Sequence, residues 1–305
     1  MTNIDLITGF LGSGKTTFLK RYVNYLLTKG ERICILEFDY GAVNIDMMLL
    51  QEFNDRCDLE MVAGGCDYDC HFRRFKTKLI AMGMKKYDRV IIEPSGIFDV
   101  DEFNDAIYDD PLCDWYEVGS IISIVDPNIK GNMSEDSEYL LKSQLFSSGI
   151  AIISKCENID KTQLNNAISL IKSTGLDENK IIAKPYGEYS SEDFEKISHA
   201  GYRSSSFEKR QVVQDNNYGS VYFLNPGLNQ TALSSIAKEL FSNKKYGQIE
   251  RIKGFISSDS KWAEFNMTSS EVNINPIENG QDVVIVIGES LNESEIKLLF
   301  DAPQN

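Results

Sequence analysis

Nine residues near the start of the chain carry the clearest chemistry. Gly9-Phe10-Leu11-Gly12-Ser13-Gly14-Lys15-Thr16-Thr17 fits G-x-x-x-x-G-K-[ST] at every fixed position. Glycines in such a run let consecutive backbone N–H groups turn toward one anion. Lys15 can reach the β- and γ-phosphates of a nucleotide, and the Thr16 hydroxyl is an oxygen donor for Mg²⁺. A helix opening near Thr16 adds the positive end of its dipole. Gly9, Gly12, Ser13, Gly14 and Thr17 complete the expected phosphate-binding set.

Three further segments place acidic or base-reading residues after apolar runs. Arg89-Val90-Ile91-Ile92 ends in Glu93-Pro94-Ser95-Gly96. A carboxylate at a strand tip beside a phosphate loop can manage Mg²⁺ or an attacking water. Gly96 can offer its N–H to a γ-phosphate, which makes the segment a candidate nucleotide switch. The second segment runs from Leu36 to Asp46, and its Glu37, Asp39 and Asp46 could ligate Mg²⁺ or a transition metal, or position water. Its plainer reading is a solvated loop, with Asp46 as a helix cap. The third is Ser154-Lys155-Cys156-Glu157, which is similar to the Asn-Lys-x-Asp element that reads the base in GTPases. Ser154 and Glu157 stand in for its Asn and Asp, so a longer carboxylate must retract to accept both guanine bonds. Hydrogen bonds to charged groups are worth about 1.5–3 kcal/mol, so guanine selectivity depends on that fit.

Ala63-Gly64-Gly65-Cys66-Asp67-Tyr68-Asp69-Cys70-His71 gathers softer donors. If residues 66–70 are helical, Cys66 and Cys70 share a face. Thiolates and an imidazole suit Zn²⁺, Co²⁺ or Ni²⁺ better than Mg²⁺. Two cysteines do not fill a tetrahedron; the third ligand would be His71, Glu37, an aspartate or a partner's residue. The competing readings are a helix start with a capping Asp and a buried Cys, and a redox pair, whose usual C-x-x-C spacing this is not.

Composition bounds what these residues can serve. The chain has 305 residues, 42% apolar, enough for two domains with real cores. Its net charge of −15 argues against nucleic-acid binding, which needs basic surface. No apolar stretch approaches the roughly 18 residues of a membrane span, and the phosphate loop begins where a secretory leader would lie. A cytoplasmic protein with reduced cysteines is expected.

The elements that must position these residues alternate. Strands are expected over Ile4–Thr8, Arg32–Phe38, Leu59–Val62, Arg89–Glu93, Ser120–Val125, Ile150–Ser154 and Lys180–Ala183, several of them unbroken apolar runs that suit strands covered on both faces. Helices are expected over Thr16–Leu27, Cys70–Met84, Ser134–Ser147, Lys161–Ser173 and Ser191–Ala200. This is an α/β fold, a mainly parallel sheet flanked by helices, with ligands at the carboxyl ends of the strands. A polar linker is read over 206–218, between a nucleotide-binding domain at 1–205 and a small α+β domain at 219–305. That second domain should contain strands near Ser220–Leu224, Gln248–Ile256, Trp262–Asn266, Glu271–Asn275 and Asp282–Ile287. Its helices should span Gln230–Leu240 and begin again near Asn292, with Glu295 in capping-box spacing.

With these motifs in this order, the chain resembles the CobW-like P-loop GTPases, relatives of the nickel chaperones of hydrogenase and urease. Arg251-Ile252-Lys253-Gly254-Phe255 and Val283-Val284-Ile285-Val286-Ile287-Gly288 are similar to that family's late strands, so the resemblance covers nearly the whole chain. It implies GTP hydrolysis coupled to delivery of a transition metal, or to maturation of a metallocofactor protein. By the resemblance Lys15, Glu93 and Asp39 are catalytic; Thr16, Glu37, Asp39 and Glu93 face Mg²⁺; and Ser154, Lys155 and Glu157 meet the base. Cys66, Cys70 and His71 are the candidate ligands for Zn²⁺ or Co²⁺. Cys66 falls on the first cysteine of the family's Cys-x-Cys-Cys motif, but Tyr68 and Asp69 occupy the places of the others and Cys70 follows. Pro94 stands where Thr or Ser is usual, and Ala42 where a glutamate is usual.

The expected activity is therefore a Mg²⁺-dependent GTPase, with ATP also open, serving a client metalloprotein or cofactor-dependent protein. Two alternatives stay open: a nucleotide-gated protein-binding module, and an ATP- or GTP-driven activator of a corrinoid or other metallocofactor protein without its own transition-metal site. The resemblance also leaves a homodimer open.

Overall fold

Unbroken apolar strands can be buried only if helices cover the sheet on both sides, and the computed structural model has that arrangement. It describes residues 1–39, 46–63, 68–128, 133–203, 218–258, 261–278 and 280–301; of Asp39, Asp46, Ala63, Tyr68, Asp69, Asn158 and Ser258 only the backbone is described. The chain divides into two compact units, Met1–Gln211 and Val212–Asn305. The expected linker lies outside the described residues except for its last residue, Tyr218.

The first unit runs β1 (Thr2–Thr8), α1 (Lys15–Thr28), β2 (Ile33–Asp39), α2 (Asp46–Leu49), β3 (Asp58–Ala63), α3 (Tyr68–Gly83) and β4 (Arg89–Pro94). It continues with α4 (Val100–Ile107), α5 (Leu112–Trp115), β5 (Tyr116–Val125), α6 (Glu135–Ser147), β6 (Ile150–Ile153), α7 (Lys161–Ser173), β7 (Ile181–Ala183) and α8 (Ser191–Ser198). The seven strands form one sheet in the order β3-β2-β4-β1-β5-β6-β7, and every pairing is parallel. All seven expected strands are present in this sheet.

Two cores sandwich the sheet. On one face Ile4, Leu6, Phe38, Val90 and Ile92 pack with Phe75 and Leu79 of α3 and Phe103 and Ile107 of α4. On the other, Ile7, Ile35, Ile91 and Ile124 pack with Phe18, Leu19, Tyr22 and Val23 of α1 and Ile197 of α8. Helix α4 was not expected from sequence. Asp99 caps it by accepting from the Asp101 N–H, and Val100, Phe103, Ala106 and Ile107 turn one face to the core. Strand β5 opens at Tyr116, four residues ahead of the expected start.

A largely buried ionic cluster ties the central strands together below their carboxyl ends. Asp5 of β1 accepts from Arg89 Nη1 of β4, from the Tyr22 hydroxyl of α1 and from the Ser120 N–H of β5, each at 2.7 Å. Arg89 also donates from Nε to Glu31 at 2.8 Å. Burial pushes the Asp5 carboxyl above its usual range, against the pull of Arg89 and its two other donors.

The second unit is an antiparallel sheet with two helices. Its elements are β8 (Tyr218–Leu224), α9 (Gln230–Ser242), β9 (Gln248–Ser258), β10 (Lys261–Met267), β11 (Val272–Ile277), β12 (Val283–Glu289) and α10 (Glu293–Asp301), with strand order β11-β10-β9-β12-β8. Leu233, Ile236 and Leu240 of α9, Ile252, Phe265, Val284 and Val286 of the sheet, and Ile296 of α10 form its core. The Glu295 N–H reaches the Asn292 side chain at 3.4 Å, one half of the expected capping box. Among the described residues, no helix is long and apolar enough to cross a membrane.

Candidate functional site

The sheet order decides the site. Central β1 lies between β4 and β5, and β2 lies beyond β4, so the loops that leave β1, β2 and β4 share one end of the sheet. The loop from Gly9 to Gly14 connects β1 to α1. Gly14 is the N-cap residue of α1 with φ +93°, a left-handed conformation in which a side chain is costly. No side chain caps this helix start, so its first-turn N–H groups remain available to an anion. The Ser13 N–H turns back to the Phe10 carbonyl at 3.2 Å. Lys15 is almost fully buried and donates to the Gly9 carbonyl at 2.9 Å, so its ammonium lies across the mouth of its own loop.

Two strand tips bring carboxylates to this loop. Thr16 donates from Oγ1 to Glu93 Oε1 at 2.7 Å, which links the first turn of α1 to the tip of β4. Glu37 of β2 is the register partner of Glu93, and both are buried. A threonine hydroxyl beside two buried carboxylates is a set of hard oxygen donors, and that set fits Mg²⁺. Asp39 ends β2, and Asp46 opens α2; their side chains, and residues 40–45, lie outside the description. Gly96 follows Glu93 and lies directly against the loop. A Cβ there would sit 2.5 Å from Leu11 N and 2.8 Å from Leu11 Cα. The preceding Ser95 N–H bonds to the Phe38 carbonyl of β2 at 2.7 Å, which fixes the segment's course.

The base-reading candidates follow β6. Ser154 is buried and its N–H joins the Val125 carbonyl at 2.9 Å. Lys155 has φ +54°, an uncommon value for a residue with a side chain. Its ammonium pairs with Asp126, at the tip of β5, at 2.7 Å. Glu157 is exposed in the short turn that follows. Beside it, burial pushes the Cys156 thiol up to about 11. Sequence reasoning missed Asp126, although it carries the same signal as Glu93: an acidic residue immediately after an apolar strand.

Of the softer donors, Cys66 lies outside the described residues, as do Gly64, Gly65 and Asp67. Helix α3 opens at Tyr68, so Cys70 is in its first turn, where it is half-buried. His71 is buried and stacks on the Phe38 ring with 4.3 Å between centroids. Among the described residues, no three His, Cys, Asp or Glu side chains come together in a group that could hold a metal ion.

Comparison with known proteins places this geometry. Zinc chaperone YeiR of Escherichia coli (strain K12) is 28% identical over 158 residues, covering 52% of this chain and 47% of that protein. Zinc chaperone YjiA of the same organism is 28% identical over 131 residues, 40% of each. Zinc-regulated GTPase metalloprotein activator 1 of Dictyostelium discoideum is 25% identical over 308 residues, covering 83% of this chain and 62% of that one. The chain thus spans about half the length, or less, of the first two curated relatives. The family model CobW/HypB/UreG, nucleotide-binding domain, matches residues 3–181, the stretch that holds the phosphate loop, both acidic strand tips and the Ser154–Glu157 turn. That match covers more than half of its residues, and the chain belongs to the CobW/HypB/UreG family.

Proposed function

We propose that this chain is a Mg²⁺-dependent nucleoside triphosphatase that acts as a metallochaperone or metallocofactor-insertion switch for a client metalloprotein. GTP is the proposed nucleotide, with ATP as its competitor at Glu157. The observation that carries the reading is the Thr16–Glu93 hydrogen bond, which joins a phosphate loop to a strand-tip carboxylate. Lys15 and the first-turn N–H groups of α1 would bind the β- and γ-phosphates. Thr16, Glu93 and Glu37 are the residues to hold Mg²⁺, which when bound supplies charge neutralisation on the phosphate oxygens. Asp39 and Glu93, at neighbouring strand tips, would orient the attacking water. Ser154, Lys155 and Glu157 would bind the base. Catalysis of this kind is mostly positioning and electrostatics, and no arginine finger is legible in the sequence, so slow intrinsic turnover is expected.

The cargo is proposed as Zn²⁺ or Co²⁺, taken by Cys66, Cys70 and His71 with a further ligand. Two of the relatives are named zinc chaperones, which supports zinc. A contiguous path supports coupling to nucleotide. Phe38 accepts the Ser95 N–H of the switch segment through its carbonyl and stacks its ring on His71, next to Cys70. One experiment tests both halves. Hydrolysis of GTP and ATP is measured with Mg²⁺ and with chelator, for wild type and Lys15→Ala. Zinc affinity is measured with and without a non-hydrolysable triphosphate, for wild type and Cys66→Ala/Cys70→Ala. Mg²⁺-independent turnover, or turnover that survives Lys15→Ala, would end the hydrolase reading. Equal zinc affinities in all four states would end the coupling.

A further inference from the structure

Helix α6 carries an amide that faces the nucleotide switch. Gln144 is fully buried, and its Nε2 donates to the Gly96 carbonyl at 3.1 Å and to the Phe98 carbonyl at 3.2 Å. The adjacent Ser143 donates to Asp99 Oδ1 at 2.9 Å, and Asp99 caps α4. The backbone of the same turn is held from the other side. The Gln144 carbonyl accepts from Ser123 of β5 at 3.1 Å and from Ser148 at 2.6 Å. Residues 96–99 are therefore bound to a helix that is itself bound to the sheet. Gln144 Oε1 is buried and accepts from nothing among the described residues. A buried acceptor without a donor is costly, and an apolar side chain of similar size would avoid that cost. The amide is explained by its two donors, both used on the segment that touches the phosphate loop.

We infer that Gln144 is a positioning residue for γ-phosphate recognition. Its amide holds the Gly96 and Phe98 carbonyls, and so keeps the Gly96 N–H where a triphosphate, but not a diphosphate, would use it. Ser143 secures the far end of the same segment through Asp99. This inference rests on the proposed reading of residues 93–96 as a nucleotide switch.

The test uses the full chain and fluorescent analogues of GDP and of a non-hydrolysable GTP, titrated alongside thermal melts. Gln144→Leu removes both donors at nearly constant volume. It should weaken triphosphate binding about tenfold while GDP affinity stays within twofold, the loss expected for two neutral hydrogen bonds. Ser143→Ala should move the same ratio about threefold, and it serves if Gln144→Leu does not fold. Ser148→Ala removes a bond to the same helical turn without touching the segment, so it should lower Tm and leave the ratio unchanged. If Gln144→Leu and Ser143→Ala change both affinities equally, or change neither, Gln144 is only a structural residue and the inference falls. Failure of the wild type to bind either nucleotide would overturn the phosphate-site reading itself, and the inference with it.

Discussion

Gly96→Ala is the substitution on which the site geometry makes its sharpest claim. The new Cβ would lie 2.5 Å from Leu11 N, 2.8 Å from Leu11 Cα and 2.9 Å from the Phe10 carbonyl carbon. All three are backbone atoms of the phosphate loop, so no rotamer change can relieve the overlap. Ordinary contact begins near 3.4 Å, so the loop and the switch segment must separate by about 0.9 Å. A misplacement of about 1 Å in a positioned site costs on the order of 10²-fold in rate, or about 2.7 kcal/mol of barrier. Overpacking should cost only about 1–3 kcal/mol of stability, and in a unit of this size each kcal/mol lowers Tm by about 2–4 °C. The variant should therefore fold and bind GDP while single-turnover GTP hydrolysis in Mg²⁺ falls about a hundredfold. Hydrolysis within threefold of wild type would refute the argument, because the loop and Gly96 could not then be in contact in the reacting state.

Other expectations follow from the same geometry. Glu157→Asp restores the shorter carboxylate, and competition titration should show the preference for GTP over ATP rise about tenfold, the worth of one better-placed charged hydrogen bond. An unchanged ratio would mean that Glu157 does not meet the base. Arg89→Met leaves the buried Asp5 carboxylate without its cation and should lower stability by about 3–5 kcal/mol in denaturant titrations. Adding Asp5→Asn to that variant should recover part of the loss, and additivity of the two losses would show that the pair is not coupled. Cys156 donates its thiol proton to the Ile153 carbonyl and is pushed up to about 11 by burial, so at pH 8 only about 0.1% of it is thiolate. Alkylation followed by mass spectrometry should be roughly a hundredfold slower there than in the unfolded chain and should accelerate as pH rises toward 11; equal rates would contradict the burial.

Much of the frame of the candidate site could be read from sequence because its parts are local. A phosphate loop is a run of consecutive residues, and Ile4–Thr8, Arg89–Ile92 and Ile121–Val125 are apolar enough to read as buried strands. That Thr16 and Glu93 face one site was expected from the motifs and the family resemblance, but their direct hydrogen bond follows from β4 lying beside β1 and from the register they take, which no local motif states. Helix α4 escaped for another reason. Asp99, Asp101, Glu102 and Asp105 give it a loop's composition, but Val100, Phe103, Ala106 and Ile107 recur at helical spacing behind an Asp N-cap, so its buried face was present in the sequence and was overlooked. Gln144, by contrast, was not legible. A glutamine within a helix reads as solvent-facing, and its burial is set by carbonyls 46 and 48 residues earlier in the chain. The cysteine segment remains a sequence argument, with Cys66 outside the described residues.

The Asp5 cluster has a consequence for how motion is distributed. It joins α1, β1, β4 and β5, the same four elements that present the phosphate loop, Glu93 and Asp126, but through the middle of β1 and β5 and the first residue of β4, below the ends that carry the site. Asp5 and the end of β1 at Thr8 are three residues apart, about 10 Å along the strand. Amide exchange along β1 and β4 should therefore be graded: slowest around Asp5, Ile91 and Arg89, which open only when the whole unit opens, and faster toward Glu93 and Gly96. A nucleotide would slow exchange at the fast end and leave the slow end nearly unchanged. The sheet would then be a lever with a fixed root, so the loops above it could change state repeatedly without loosening the fold that carries them.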